Sequence, residues 1–256
     1  MKEGTRLIIQ ARTGASRLPL KTTLPFFKEK GIFQLIAENL SAYFGASNLV
    51  LATTENPADD ALAVLAGKIG MGVYRGSEQD VLGRFIGAAE KFNAATIVRV
   101  CADNPFLFPS CIDELIREFE KSPCDYLSYR TDDQLPVIRS HWGLFSEVTT
   151  IAALRQAAAE TTEPFYHEHV TNYLYENGGK FSIRLLDLPE AFRGRSGYRF
   201  TLDTPADFDL LSKLYLTLFD LYKTSVFTPE QLFGYLDKSG ATIVKNMRRQ
   251  IDKNAK

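Results

Sequence analysis

The sequence is poor in the features that mark specialised protein classes. Its three cysteines, Cys101, Cys111 and Cys124, form no CxxC pair, so neither a disulfide framework nor a cysteine metal knuckle is indicated. No stretch approaches the ~20 apolar residues that span a bilayer, and the opening MKEGTRLIIQ lacks the long apolar core of a secretion signal. A net charge of −1 supplies no global field for nucleic acid or an anionic membrane, so any basic function has to be local. Neither GxxxxGK[ST] nor GxGxxG occurs, and HExxH is missing although His167 and His169 stand close together. No internal repeat and no Pro/Gly/Ser-rich linker divides the chain. These absences predict a cytoplasmic protein with reduced thiols, inserted in no membrane and bound to no nucleic acid, folded as one domain over residues 1–256.

What is present is a regular alternation. RLIIQ, NLVLATT, MGVYRG, ATIVRVCAD and DYLSY read as strands, and between them lie apolar residues at helical spacing: GIFQLIAENLSAYFG, PADDALAVLAGKIG, EQDVLGRFIGAAEKFN and SCIDELIREFEKS. Such βαβ units predict an α/β fold with a mainly parallel, doubly wound sheet, whose strand-to-helix loops gather at the carboxyl edge where ligands bind. Ser110 is expected to cap its helix, with Asp113 completing a box. After Arg130 the helical period stops, and residues 131–148, TDDQLPVIRSHWGLFSEV, read as a projecting arm or hairpin whose Trp142 suits a partner surface or a core. TIAALRQAAAE and EPFYHEHVTNYLYEN resume as helices, and KFSIRLLDL and GYRFTLD read as further strands. Thr204-Pro205 with Asp207 and Thr228-Pro229 with Gln231 mark two boxed helix starts, and the polar tail KNMRRQIDKNAK is expected to fray at its end.

The loop after the first strand is the most informative segment. Between Ala11 and Lys21 stand Arg12, Arg17 and Lys21, the small residues Gly14 and Ser16, and no acidic residue at all. Backbone N–H groups of a small-residue turn, with cations that cannot satisfy one another, suit a polyphosphate at a carboxyl edge. A solvated basic loop is the plain alternative. Asp103 ends the fourth strand and Asp203 a late one, so both are expected at the same edge. There a hard divalent cation with oxygen ligands would relieve their repulsion, whereas a cap or turn role would leave each as local helix chemistry. Arg75, Ser77, Asp80 and Arg84 follow the third strand and reach the same cleft, although Ser77 with Asp80 also reads as a helix cap.

QARTGASRLPLK resembles the nucleotide-binding signature of the cytidylyltransferases that make CMP-sugars. That group includes CMP-KDO synthetase, acylneuraminate cytidylyltransferase and, most similar, the spore-coat polysaccharide cytidylyltransferases. LATTENPADDALAVLA, VYRGSEQDVLGRF, IVRVCADNPFLFP, YHEHVTNYLYEN and FTLDTPADF follow in the family's order along nearly the whole chain. The resemblance implies a fold of the nucleotide-diphospho-sugar transferase type, CTP and a small acidic sugar as substrates, Mg²⁺ as cofactor, and a homodimer in which the arm leans over the partner's cleft. It assigns Ala11, Arg12, Gly14, Ser16, Arg17, Lys21, Arg75, Ser77 and Asp80 to the nucleotide, with Arg12, Lys21 and Asp103 catalytic. It also makes Asp103 and Asp203 the metal ligands, places Glu147 near the acceptor or at the dimer seam, and sets His169 near the sugar, with a buried, hydrogen-bonded histidine as the alternative for the latter. Cys101 departs from the pattern, since CMP-KDO synthetases carry a base-contacting glutamine near that position. A CTP-dependent enzyme acting on a phosphonate, phosphosugar or other small acid is the alternative, as is a nucleotide-binding homologue without turnover.

Overall fold

Aliphatic and β-branched runs form the strands of one seven-stranded sheet in a computed structural model that describes residues 1–254. In chain order the elements are β1 (Thr5–Gln10), a small hairpin β2 (Pro25–Phe27) and β3 (Lys30–Gly31), α1 (Ile32–Phe44), β4 (Leu49–Thr54), α2 (Asp60–Ile69), β5 (Gly72–Gly76), α3 (Val81–Lys91), β6 (Thr96–Cys101) and α4 (Pro109–Lys121). There follow β7 (Tyr126–Arg130), β8 (Glu147–Thr150), α5 (Ile151–Glu160), α6 (Pro164–Glu168), α7 (Asn172–Glu176), β9 (Ile183–Asp187), α8 (Pro205–Tyr222), α9 (Pro229–Ser239) and α10 (Ala241–Lys253).

The strand order is β5-β4-β1-β6-β8-β7-β9, and only β8 runs against the rest. The chain winds outward from β1 through β4 to β5, then crosses back through α3 to place β6 on the other side of β1. The order therefore reverses between β1 and β6, and Gln10 pairs with Cys101 where both strands end. Open α/β sheets bind ligands outside the strand ends at such a reversal. One apolar layer packs α1, α4, α8 and α9 on one face, and a second packs α3, α5 and α7 on the other.

Several expectations are corrected. Helix α4 starts at Pro109 behind Phe108 and has no side-chain cap, so Ser110 lies inside the first turn instead of capping it. EPFYHEHVTNYLYEN is not one helix, because α6 stops at Glu168 and α7 restarts at Asn172, with Thr171 turned inward to a buried carboxylate. GYRFTLD is extended but pairs with no strand; it is held by single bonds, from Phe200 N–H to His141 O and from Leu202 N–H to Asp103 O. The stretch 131–148 is an arm only at its exposed tip, Asp132–Leu135. Beyond it Val137, Trp142, Leu144 and Phe145 are buried, and Trp142 stacks against Phe145 and Phe192, so apolar burial draws the segment inward. Its end becomes β8, whose antiparallel course was hidden by the short run EVTT. The polar tail is helical to Lys253 and buries Met247; the fraying expected at its end falls on the last two residues, which lie outside the described ones.

Candidate active site

The loop after β1 is tied down from below. The Thr13 N–H and hydroxyl both donate to Asp59 Oδ1, at 2.7 and 2.6 Å, and the Thr54 hydroxyl donates to Asp59 Oδ2. Burial alone would raise the Asp59 carboxyl, but the hydroxyl and N–H donors from Thr13 and Thr54 outweigh it and hold its pKa below the ordinary carboxylate value. Asp59 is therefore an ionised post at the start of α2 that fixes the turn carrying Arg12, Gly14 and Ser16. Nothing in PADD distinguished it beforehand, since its partner Thr13 is remote in sequence.

The two aspartates do converge. Lys21 Nζ lies 3.1 Å from Asp103 Oδ2 and 3.8 Å from Asp203 Oδ1, and it donates to the Leu202 carbonyl at 2.9 Å. The contact is made by the unpaired segment 199–203 lying along the loop after β6, not by neighbouring strands as expected. Gly143 permits that approach: its φ is +58°, and a Cβ there would stand 2.8 Å from Asn104 Oδ1 and from Thr201 N. Burial opposes the Asp103 charge, but Lys21 outweighs it, with Arg99 contributing, and the pKa falls below the carboxylate norm.

Arg12, Arg17 and Lys21, with no acidic residue in their own loop, nevertheless find carboxylates elsewhere in the fold. Arg17 pairs with Asp203 at 3.0 Å, Lys21 holds Asp103, and Arg12 reaches Glu78 at 3.4 Å. The counter-charges come from three remote loops, which the local absence of acids could not reveal. Arg17 and Arg12 remain substantially solvent-exposed, so these pairs are weak and exchangeable.

Asp203 is anchored from beneath by Arg199, which is buried. Its Nε and Nη2 donate to Asp207 at 2.8 and 2.9 Å, Nη2 also to Asp203 Oδ2 at 3.1 Å, and Nη1 to His141 Nδ1 at 2.6 Å. Asp207 in turn accepts the Thr204 N–H and closes the capping box of α8, as expected.

The segment after β5 divides differently from expectation. Arg75 is engaged structurally, donating to Thr54 O and Asn56 O and pairing with Asp60. Asp80 itself caps α3 by accepting the Gly83 N–H, and Ser77 Oγ accepts the Asp80 N–H from outside the helix, so the expected Ser77 cap with Asp80 in the first turn is corrected to a cap at Asp80. Arg84, expected to line the cleft or to pair on the surface, is buried. It donates through Nη1 to Ser77 O, while Nε and Nη2 find no partner among the described residues.

Of the two acceptor residues, Glu147 is buried. It takes Arg99 on one oxygen, and the Tyr126 and Thr171 hydroxyls on the other at 2.6 and 2.9 Å. Buried and holding these three donors, Glu147 is not placed to touch an acceptor directly, so the expected contact is corrected to an internal one. His169 ends α6, exposed, with its ring against Phe165. Cys101 stands beside these groups, and burial pushes its thiol up to about 11, so it is a neutral thiol at pH 7.

His167 gives a prediction of its own. Its Nδ1 is 2.7 Å from Asp80 Oδ1 and its Nε2 3.0 Å from Thr161 O; both partners accept, so both nitrogens carry protons and the ring is cationic. The bond to Asp80 and then that to Thr161 raise its pKa above the ordinary 6.5. A raised folded pKa stabilises fully below the unfolded value and is lost as pH rises through the folded one. Melting temperature is therefore expected to fall across that window, and His167→Gln to flatten the fall. Parallel curves for the two proteins in a pH series of thermal melts would contradict this.

A doubly wound sheet, a cation-bearing loop at its switch point and two converging carboxylates define a nucleotidyltransferase. The cytidylyltransferase family model matches residues 7–240. The spore coat polysaccharide biosynthesis protein SpsF of Bacillus subtilis is 33% identical over 212 residues, 81% of this chain and 85% of that protein. The structure of a cytidylyltransferase from Leptospira borgpetersenii superposes with a TM-score of 0.82 at 28% identity, covering 95% of this chain and 97% of that one. CMP:2-keto-3-deoxy-manno-octonic acid synthetase in complex with CTP shares the fold, at a TM-score of 0.62 and 16% identity over 83% of this chain and 98% of that one. The chain belongs to the cytidylyltransferase family. Among the described residues no helix is long and apolar enough to cross a membrane.

Proposed function

We propose that this cytidylyltransferase joins CMP from CTP to a small acidic sugar and releases pyrophosphate, in the making of a surface polysaccharide. The observation that carries the reading is the Lys21 ammonium set between Asp103 and Asp203 at the reversal of the sheet. A cation already bridges the two carboxylates, which suits their oxygens to a hard divalent ion such as Mg²⁺ completed by phosphate and water. When bound, such an ion neutralises phosphate charge as the leaving group departs. Arg12, Arg17 and Lys21 then exchange their carboxylate partners for the β- and γ-phosphates and stabilise the charge that builds there. Ser16 and the backbone around Gly14 close the turn on the phosphates. The acceptor hydroxyl forms its bond to the α-phosphorus as the α–β bridging bond breaks, and its proton passes to solvent.

SpsF carries polysaccharide biosynthesis in its name, which supports the pathway assignment. The resemblance also carries a homodimer, with the exposed tip Asp132–Leu135 as the part of the arm able to meet a partner. Pyrophosphate release is the deciding measurement, with CTP, Mg²⁺ and a panel of keto-deoxy sugar acids, and with ATP, GTP and UTP in parallel. Release is expected only with CTP and an acid together. Release supported equally by every nucleotide, or none under any combination, refutes the reading.

A further inference from the structure

We infer that Arg99 is the residue that binds the acceptor's carboxylate, and that Glu147 is the positioning residue that aims it. The inference rests on the proposed acidic acceptor. Arg99 lies on β6 two residues before Cys101, on the same side of the strand, and four before Asp103. Its guanidinium has one close partner: Nη1 donates to Glu147 Oε2. The opposite edge, Nε with Nη2, is the side that takes a carboxylate through two parallel bonds. There Nε has no partner among the described residues and Nη2 makes a single long contact, 3.4 Å, to Gln10 Oε1.

Three features separate this from an ordinary buried ion pair. Glu147 is pinned from three elements, by Arg99 of β6, Tyr126 of β7 and Thr171 before α7, so the guanidinium has one orientation. Apolar residues would fill such a place at least as stably, so a charged pair with half its donors unused is costly as mere structure. The unused edge also meets Gln10, and Gln10 and Cys101 are partly exposed partners where β1 and β6 end, so an anion entering from the cleft floor can displace one amide contact.

The chemistry of the acceptor fits the spacing. In a keto-deoxy sugar acid the anomeric hydroxyl and the carboxylate sit on one carbon. A fork on the carboxylate therefore orients the nucleophile, and roughly two residues of strand, ~7 Å, carry the fixed charge from Arg99 to the end of β6.

The test uses N-acetylneuraminate and 3-deoxy-manno-octulosonate, each as free acid and as methyl ester, with CTP-loaded protein in calorimetry and in turnover. The wild type is expected to prefer an acid over its ester. Arg99→Met combined with Glu147→Gln, which removes both charges and spares the fold an unpaired one, is expected to erase that preference. It should raise KM for the acid roughly 10- to 100-fold while CTP affinity and the CD spectrum stay unchanged. Arg99→Lys, which keeps the charge but loses the fork, is expected to fall between, and Glu147→Gln alone to raise KM for the acid more than it lowers kcat. An acid preference that survives the double change, or a wild type that binds no acid of the panel or ignores esterification, overturns the assignment. Failure to bind CTP at all instead overturns the functional reading beneath it.

Discussion

Asp103→Asn is expected to lower pyrophosphate release by at least 10²–10³-fold, the scale on which loss of one preorganised charge-stabilising group acts, while CTP still binds more weakly. The substitution is nearly isosteric, so it isolates charge. Asp103 is ionised because Lys21 outweighs its burial, and an amide in its place can still accept from the Lys21 ammonium but cannot share a divalent ion with Asp203. The fold should tolerate the change, since Lys21 keeps its bond to the Leu202 carbonyl and its pairing with Asp203. A melting temperature within a few degrees of wild type, together with lost turnover, is thus the expected signature. Full activity in this variant removes Asp103 from the chemistry. Lost activity with collapsed stability would mark it as a structural residue of the 103–202 junction.

That junction illustrates which parts of the molecule the chain announces. The alternation of period-two and period-3.6 runs specifies β1, β4, β5 and β6 with their helices, because each element carries its own apolar pattern. The loop from Ala11 to Lys21 stands out for the same reason: its composition is local. The boxed starts of α8 and α9 were legible because a cap is a contact over three residues. What stayed hidden depends on distance along the chain. Asp59 reaches Thr13 across 46 residues, and Glu78 reaches Arg12 across 66, so no window of sequence holds both ends. Strand β8 was missed because a four-residue strand between two others takes its stability from neighbours, not from propensity. Glu147 is the opposite case: the resemblance alone placed it near the acceptor, and only the tertiary fold shows Tyr126, Thr171 and Arg99 closing around it.

Arg199→Met carries the largest expected effect on stability. Arg199 is buried, forked on Asp207 and bonded to Asp203 and His141, so its loss strips Asp207 of its counter-charge and leaves Asp203 with Arg17 and Lys21 alone. Removing one partner of a buried pair costs about 3–5 kcal/mol, which for a chain of this length lowers the melting temperature on the order of 10 °C. Burial by itself raises the Asp207 pKa; Arg199 reverses that and depresses it below the usual value. A depressed carboxyl stabilises above its unfolded pKa of about 4 and loses that contribution as pH falls through the folded value. The variant is therefore expected to lose most at neutral pH and to converge with wild type in acid. Pairing the change with Asp207→Asn separates the orphaned charge from the lost contact. Recovery of half or more of the melting temperature assigns the cost to the charge, and no recovery assigns it to the capping box and the packing of α8. Activity supplies an independent readout. Asp203 relies on Arg199 for its position beside Lys21, so the double variant, even where stable, is expected to turn over slowly, and wild-type rates in it would show that Asp203 needs no such support.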